Sequence, residues 1–314
     1  MIRNLSKIIA LVLVLASTSF AAKYAGEAFA LGAGARPLAL GGAYVALAGD
    51  PAGLYYNPAG IAQIQGRQIA LLHSETFGSL LNHDYVAYAH PVNFRNKAGA
   101  IAAGIYRVGG GGIILTEKDP ITGGPKIISE EGHYDYMVLL GAGMKLSDSW
   151  RFGATSKIIV RSLANNSAWG LGLDIGVQYG GNEGFALGAN LTNATSTFLA
   201  YDNGTRESIL PALKLGATYA RSFDQFTVRA IADGDFLFEG RDAAAQASVG
   251  AISLDSHLGA ELSYHDIVYF RGGSDIGRLA LGVGLRFNRF QLDGAFLNHN
   301  DLDNSYRISL NIAL

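Results

Sequence analysis

No cysteine occurs in the 314 residues, which excludes a disulfide framework and a thiolate metal site. Charge is sparse. Asp, Glu, Lys and Arg together make up 16% of the chain, where an average soluble domain carries about 25%. The net charge of −2 argues against a nucleic-acid partner. Long apolar runs are missing after the first twenty or so residues, so a helical membrane protein is excluded. Proline is scarce beyond Pro58, where only Pro91, Pro120, Pro125 and Pro211 follow. Catalytic signatures are missing as well. There is no HExxH and no GxSxG, and the histidines are scattered. Gly170, Gly172 and Gly176 lie within an alternating stretch and open no helix. Neither an enzyme nor a cofactor or metal site is expected.

The chain opens MIRNLSKIIALVLVLASTSFAAK. Arg3 and Lys7 precede an apolar run, and Ser19-Phe20-Ala21 places small residues two apart. That is the three-part form of a secretory signal peptide, expected over 1–21. The apolar stretch is short for a membrane span, which takes about 20 residues. An exported chain with 41 glycines, little charge and no later apolar span has the composition of an outer-membrane β-barrel.

Periodicity supports this. In WGLGLDIGVQY, residues 169–179, Trp169, Leu171, Leu173, Ile175, Val177 and Tyr179 fall on one face, and glycine, Asp174 and Gln178 on the other. A period of two is a strand. A second face of glycine suits either a crowded or a water-filled interior. The pattern recurs and predicts fourteen strands, near 67–76, 83–92, 97–108, 134–146, 150–162, 167–179, 184–193, 211–221, 225–237, 246–265, 267–275, 278–288, 289–299 and 306–314. Short connections follow the even-numbered strands. Longer ones follow strands three, five, seven and nine, above all 110–132 and 194–209, with 116–131 read as an outer loop. Short periplasmic turns and longer outer loops are the rule for such barrels, and an even count puts both barrel ends in the periplasm. Tyr134, Trp150, Trp169, Tyr179, Tyr219, Tyr264 and Tyr306 stand where interfacial girdles belong.

Charges in mid-strand cost a few kcal/mol each, roughly, when turned to lipid. Arg151, Lys157, Arg161, Asp174, Lys214, Arg229, Asp233, Arg286 and Arg307 are therefore expected to face the lumen. Two readings of them stand: they guide a solute, or they pair and stabilise the interior.

Residues 22–66 precede the first strand, with 67–314 as the barrel. This stretch is apolar, small and glycine-rich, and the economical place for it is inside the barrel as a hatch or plug. In DPAGLYYNPAG, residues 50–60, Pro51 and Pro58 stop regular structure. Pro58 forces Asn57 into an extended conformation.

The segment GARPLALGGAYVALAGDPAGLYYNPAGIA resembles the N-terminal signature of FadL-like outer-membrane proteins, in particular the PorV/PorQ family. The matching positions are Arg36, Gly41, Gly42, Asp50, Tyr56, Asn57, Pro58, Ala59 and Gly60. The resemblance implies an all-β fold, a fourteen-stranded antiparallel transmembrane barrel with an N-terminal hatch, in the bacterial outer membrane. The chain departs from many such barrels in ending on Leu314 instead of an aromatic residue. The implied function is movement of a small hydrophobic ligand past the hatch. The alternative is a PorV-like part of type IX secretion, with secretion-system proteins or exported cargo as partners. Outer-membrane lipid and the barrel-assembly machinery are partners under either reading. In FadL-like proteins a kink near the third strand serves lateral exit, which gives the glycines at 109–112 a second reading beside that of a flexible loop.

Overall fold

The computed structural model describes residues 26–163, 166–240, 245–299 and 303–314. The expected signal peptide and the first residues of the plug lie outside the described residues. Seventeen strands form one sheet. In chain order they are β1 (Gln68–Thr76), β2 (Leu81–Phe94), β3 (Lys97–Lys118), β4 (Pro125–Lys145), β5 (Trp150–Leu163), β6 (Asn166–Gly180), β7 (Gly184–Thr192), β8 (Thr197–Tyr201) and β9 (Arg206–Ile209). They continue with β10 (Ala212–Phe223), β11 (Phe226–Leu237), β12 (Ala247–Val249), β13 (Ile252–Tyr264), β14 (Val268–Asp275), β15 (Arg278–Phe287), β16 (Phe290–Leu297) and β17 (Ser305–Ala313). All except β8, β9 and β12 form a closed antiparallel wall of fourteen strands. Closure is between the first strand and the last, with Gln68 opposite Ala313 and Glu75 opposite Tyr306. A closed wall leaves no unpaired edge, which is what a strand protein needs in order to cross lipid.

The alternation in the sequence becomes the two sides of this wall. In β6, Trp169 and Leu171 are exposed outside, while Gly170, Asp174, Gly176 and Gln178 are buried inside. Aromatic side chains ring the outside at both ends. Trp150 packs on Tyr179, Phe185 on Tyr219 and Phe226 on Tyr264 at the short-turn end. Tyr134, Trp169 and Tyr306 stand exposed towards the other end. Short turns are tight because their residues accept left-handed backbone. Arg95 and Asn96 both have positive φ, 46° and 66°, as a two-residue hairpin turn requires.

The structure departs from the sequence reading at the third and fourth strands. The segment 116–131 is no loop. β3 and β4 run on as a ribbon until Lys118 lies opposite Pro125. Glycine and proline at 109–112, 120 and 125 masked a pairing that the isoleucines of 113–128 sustain. The 109–112 glycines sit at a bulge, where the register shifts between Gly110 and Ile113. Pairing of β3 with β2 stops at Gly109, and pairing of β4 with β5 stops at His133, so the ribbon stands alone above the wall. The connection after the fifth strand is also shorter than expected, since Leu163 lies opposite Asn166. The stretch 246–265 breaks at Gly250, whose φ is 61°.

Since the ribbon pairs with neither neighbour beyond these points, replacing residues 114–130 by a two-residue turn should leave the barrel intact. The check is heat-modifiable migration on a denaturing gel. Loss of the folded band would mean that the ribbon supports the wall.

Candidate functional site: the plugged lumen

Residues 26–66 lie within the wall and form little regular structure. They hold a 3-10 turn (Glu27–Phe29), helix α1 (Ala35–Ala39), helix α2 (Gly53–Tyr56) and a second 3-10 segment (Pro58–Gln63). Most of the segment is buried, with Leu40, Tyr44, Leu54, Asn57 and Ile61 at essentially no exposure. So irregular a chain leaves many backbone groups without partners of its own, and burying them unpaired is costly. The wall supplies the partners.

Glycine on the inner register lets the two backbones meet. A Cβ on Gly188 would lie 2.5 Å from Val45 O and 2.7 Å from Ala46 Cα. One on Gly259 would lie 2.7 Å from Leu40 O, and one on Gly143 would lie 2.7 Å from Pro58 O. Gly153, Gly176 and Gly273 are closed off in the same way, by Pro58, Asn57 and Gly41. Between them they follow the hatch around the lumen. The interior is therefore crowded, not water-filled, at this level.

The signature residues occupy this seam. Gly41 and Gly42 end α1 with φ of 66° and 87°, a left-handed pair that side chains disfavour. A Cβ on Gly41 would also meet Leu258 O at 2.6 Å. Asn57 is the central hook. Its Nδ2 donates to Val45 O within the hatch and to Val177 O and Ala189 O of the wall, at 2.9, 3.2 and 3.3 Å, while its Oδ1 accepts from Ala59 N at 3.1 Å. Pro58 presses on Gly143 and Gly153, and Gly60 on Ala48. Tyr56 accepts from Ala33 N at 3.1 Å. Asp50 accepts from the Tyr44 hydroxyl at 2.7 Å and from Ala52 N at 3.0 Å. Burial pushes the Asp50 carboxyl above its ordinary value, and the Tyr44 hydrogen bond and the Arg36 charge pull it partly back. Arg36 reaches the wall. Its Nε and Nη2 grip Glu261 at 2.9 and 2.8 Å, in the forked geometry that suits a guanidinium.

The residues expected to face the lumen fall into two groups by the contacts they make. Some hold the hatch. Asp233 accepts from Tyr44 N and Val45 N at 2.6 and 2.8 Å. Arg307 donates to Leu31 O and Gly32 O. The others make wall-to-wall contacts. Arg229 lies 3.7 Å from the Glu261 that Arg36 grips. Lys157 pairs with Asp174 at 2.7 Å, Arg161 with Asp135 at 2.9 Å, and Lys214 with Asp235. Arg151 donates to Gly180 O at 2.5 Å. Arg286, at the short-turn mouth, donates to Gln291 at 2.8 Å.

The barrel with its enclosed N-terminal segment can now be compared with solved structures. It is similar to the CymD monoaromatic hydrocarbon channel, at 13% identity over 90% of this chain and 98% of that one, with a TM-score of 0.59. It is similar to the toluene transporter TodX of Pseudomonas putida, at 13% identity over 89% and 96%, TM-score 0.57. It also resembles a FadL homologue of Pseudomonas aeruginosa, at 13% identity over 88% and 97%, TM-score 0.54. The barrel has the fold of the FadL-type channels. No protein-family profile and no curated protein sequence matches the chain.

Above the hatch this FadL-type barrel holds a cavity of about 140 Å³ facing the long-loop end. Leu31, Leu38, Tyr55, Tyr56, Phe77 and Leu297 give it an apolar side. Lys214, Asp235, His257, Asp275, Arg278 and Arg307 form the other. His257 Nδ1 lies 3.0 Å from Asp275 and 2.8 Å from Gly41 O, and Arg278 reaches Asp275 at 2.5 Å.

Arg271 was not among the residues predicted to face the lumen. Arg271 is fully buried and joins Glu261 to Asp293, both at 2.7 Å. Gln178 donates to Val45 O and Ala48 O at 3.0 and 2.9 Å, and Asn190 to Tyr56 O at 3.0 Å. All fall on the inward register. Their partners are far away in sequence, so only the signal of a polar residue in phase with glycine was legible.

Two substitutions test the seam. Asn57→Ala removes four hydrogen bonds and takes the acceptor from the buried Ala59 N, and should destabilise the seated hatch by about 2 kcal/mol, read as a lower urea midpoint for protease cleavage within residues 26–66. Gly188→Val should unseat Val45 and raise single-channel conductance. Unchanged conductance would show that the hatch does not need this approach.

Proposed function

We propose that the chain is an outer-membrane channel that admits small hydrophobic molecules, with residues 26–66 as its gate. One observation carries the reading. The lumen is filled by a segment that is no part of the wall's strand pairing and is held by side-chain hooks from the wall, beneath a cavity that faces the loop end. Displacing such a segment breaks a countable set of hydrogen bonds and leaves the wall paired. The likeness to channels described as carrying toluene and monoaromatic hydrocarbons supports a solute of about one ring here.

The outward apolar face and the two aromatic rings support a membrane setting with outer-membrane lipid around the wall. In this reading the signal peptide is removed on export, and the short turns and both strand termini face the periplasm. The barrel-assembly machinery inserts the chain. The alternative of a PorV-like secretion component rests on the N-terminal signature alone, and no feature of the lumen favours it over a channel.

Planar-bilayer conductance tests the gate. The refolded chain should be closed, and a variant lacking residues 23–60 should conduct. The native chain has no cysteine, so a specific lock can be added. Ala35→Cys with Ser309→Cys joins hatch to wall where Ala35 N now donates to Ser309 Oγ at 3.2 Å. Oxidised, this variant should block uptake of a one-ring probe such as p-cresol by at least tenfold in cells, and reduction should restore it. Equal conductance with and without the hatch, or uptake indifferent to the lock, would remove the gate from the account.

A further inference from the structure

Resting on the channel reading, we infer the class of solute that the cavity above the hatch selects: a compact molecule of about one ring that carries a hydrogen-bonding group such as a phenolic hydroxyl. A bare hydrocarbon or a long acyl chain is disfavoured.

Size is the first argument. The cavity measures about 140 Å³, and an apolar protein cavity of about 150 Å³ takes up benzene. A ring fits, and an extended chain of a dozen carbons or more does not unless the hatch moves. Tyr55 lines the space and stacks on Tyr106 behind it, with ring centres 5.7 Å apart. The Tyr55 hydroxyl donates to Phe29 O at 2.7 Å. Growth of the cavity in that direction therefore requires breaking the hatch's own contacts.

The second argument is that the lining is mixed. The N-terminal segment supplies Leu31, Leu38 and the rings of Tyr55 and Tyr56. Facing it is a chain of charged side chains contributed by four adjacent strands of the wall. Lys214 of β10 pairs with Asp235 of β11, Asp235 lies 3.6 Å from His257 of β13, and His257 contacts Asp275 of β14. These groups pair with one another, and their remaining polar surface lines the cavity. An apolar guest offers that surface no hydrogen bond. A guest with a hydroxyl can lay its ring on the tyrosine side and give or accept a hydrogen bond on the other. A site with built-in polar partners rejects the analogue that lacks the matching group more strongly than an apolar pocket separates neighbours in size.

The test is calorimetric titration of the refolded full barrel in nonionic micelles, corrected for partition into empty micelles. The probes are p-cresol, toluene and palmitate. They separate hydroxyl, bare ring and acyl chain. The native barrel should bind p-cresol at least tenfold more tightly than toluene, and palmitate more weakly than either. Lys214→Met combined with Asp235→Leu replaces the ion pair by side chains of similar size, and should bring the ratio of p-cresol to toluene close to one. Leu297→Trp fills the cavity, and both rings should then lose affinity by at least tenfold. Heat-modifiable migration confirms that each variant is folded. Toluene binding as well as p-cresol in the native barrel, or palmitate binding best, overturns the assignment. If the hatch lock still governs uptake in that case, the channel reading stands and only the solute class falls. If the lock is without effect, the channel reading falls on its own evidence.

Discussion

The structure depends on a steric constraint, the missing Cβ at the places where hatch and wall touch. A fourteen-strand wall encloses a limited width, and a segment of some forty residues has to lie inside it. With ordinary side chains on the inner register, backbone could not come within hydrogen-bonding reach of backbone. Glycine at 143, 153, 188, 259 and 273 removes that barrier. Once the chains are this close, Asn57, Gln178, Asn190 and Asp233 can reach peptide groups directly, and the absence of regular structure in the hatch is compensated from outside. Glycine-rich inner faces are thus the mould of the plug and no sign of an empty pore.

The buried charges follow from the same closeness. An ion pair withdrawn from water gains little by itself, and leaving one partner alone is expensive. Here few of them stand as isolated pairs. Glu261 answers Arg36 and Arg271, and Arg271 answers Asp293 in turn. The chain of contacts ties a residue of the hatch to three strands of the wall. Lys157 with Asp174, and Arg161 with Asp135, do a different job on the other side of the lumen, where they brace neighbouring strands. The lumenal charges thus divide by position, between groups that hold the segment and groups that hold the wall.

Much of this was legible in the residues. Alternation in 169–179 and 278–288 gave strands and their two faces, because a strand's period is short enough to read without knowing its neighbours. The unusual stretch at 50–60 marked a special segment for the same reason: proline and glycine act locally. What was illegible was set by distant pairing. The ribbon of β3 and β4 looked like a loop because its glycines and prolines satisfy local rules for loops, and only the opposing strand makes it a ribbon. Arg271 is one arginine among many until Glu261 and Asp293 close on it. The polar side of the cavity is assembled from six strands, each of which contributes one unremarkable residue.

The closing seam has a consequence for where the hatch can go. The hatch leads into β1 through residues 64–67 alone, and β1 has its second neighbour in β17, the last strand of the chain. The wall is closed only where β1 meets β17. With that seam paired, the hatch has no passage sideways between strands, and any path out of the lumen runs along the barrel axis.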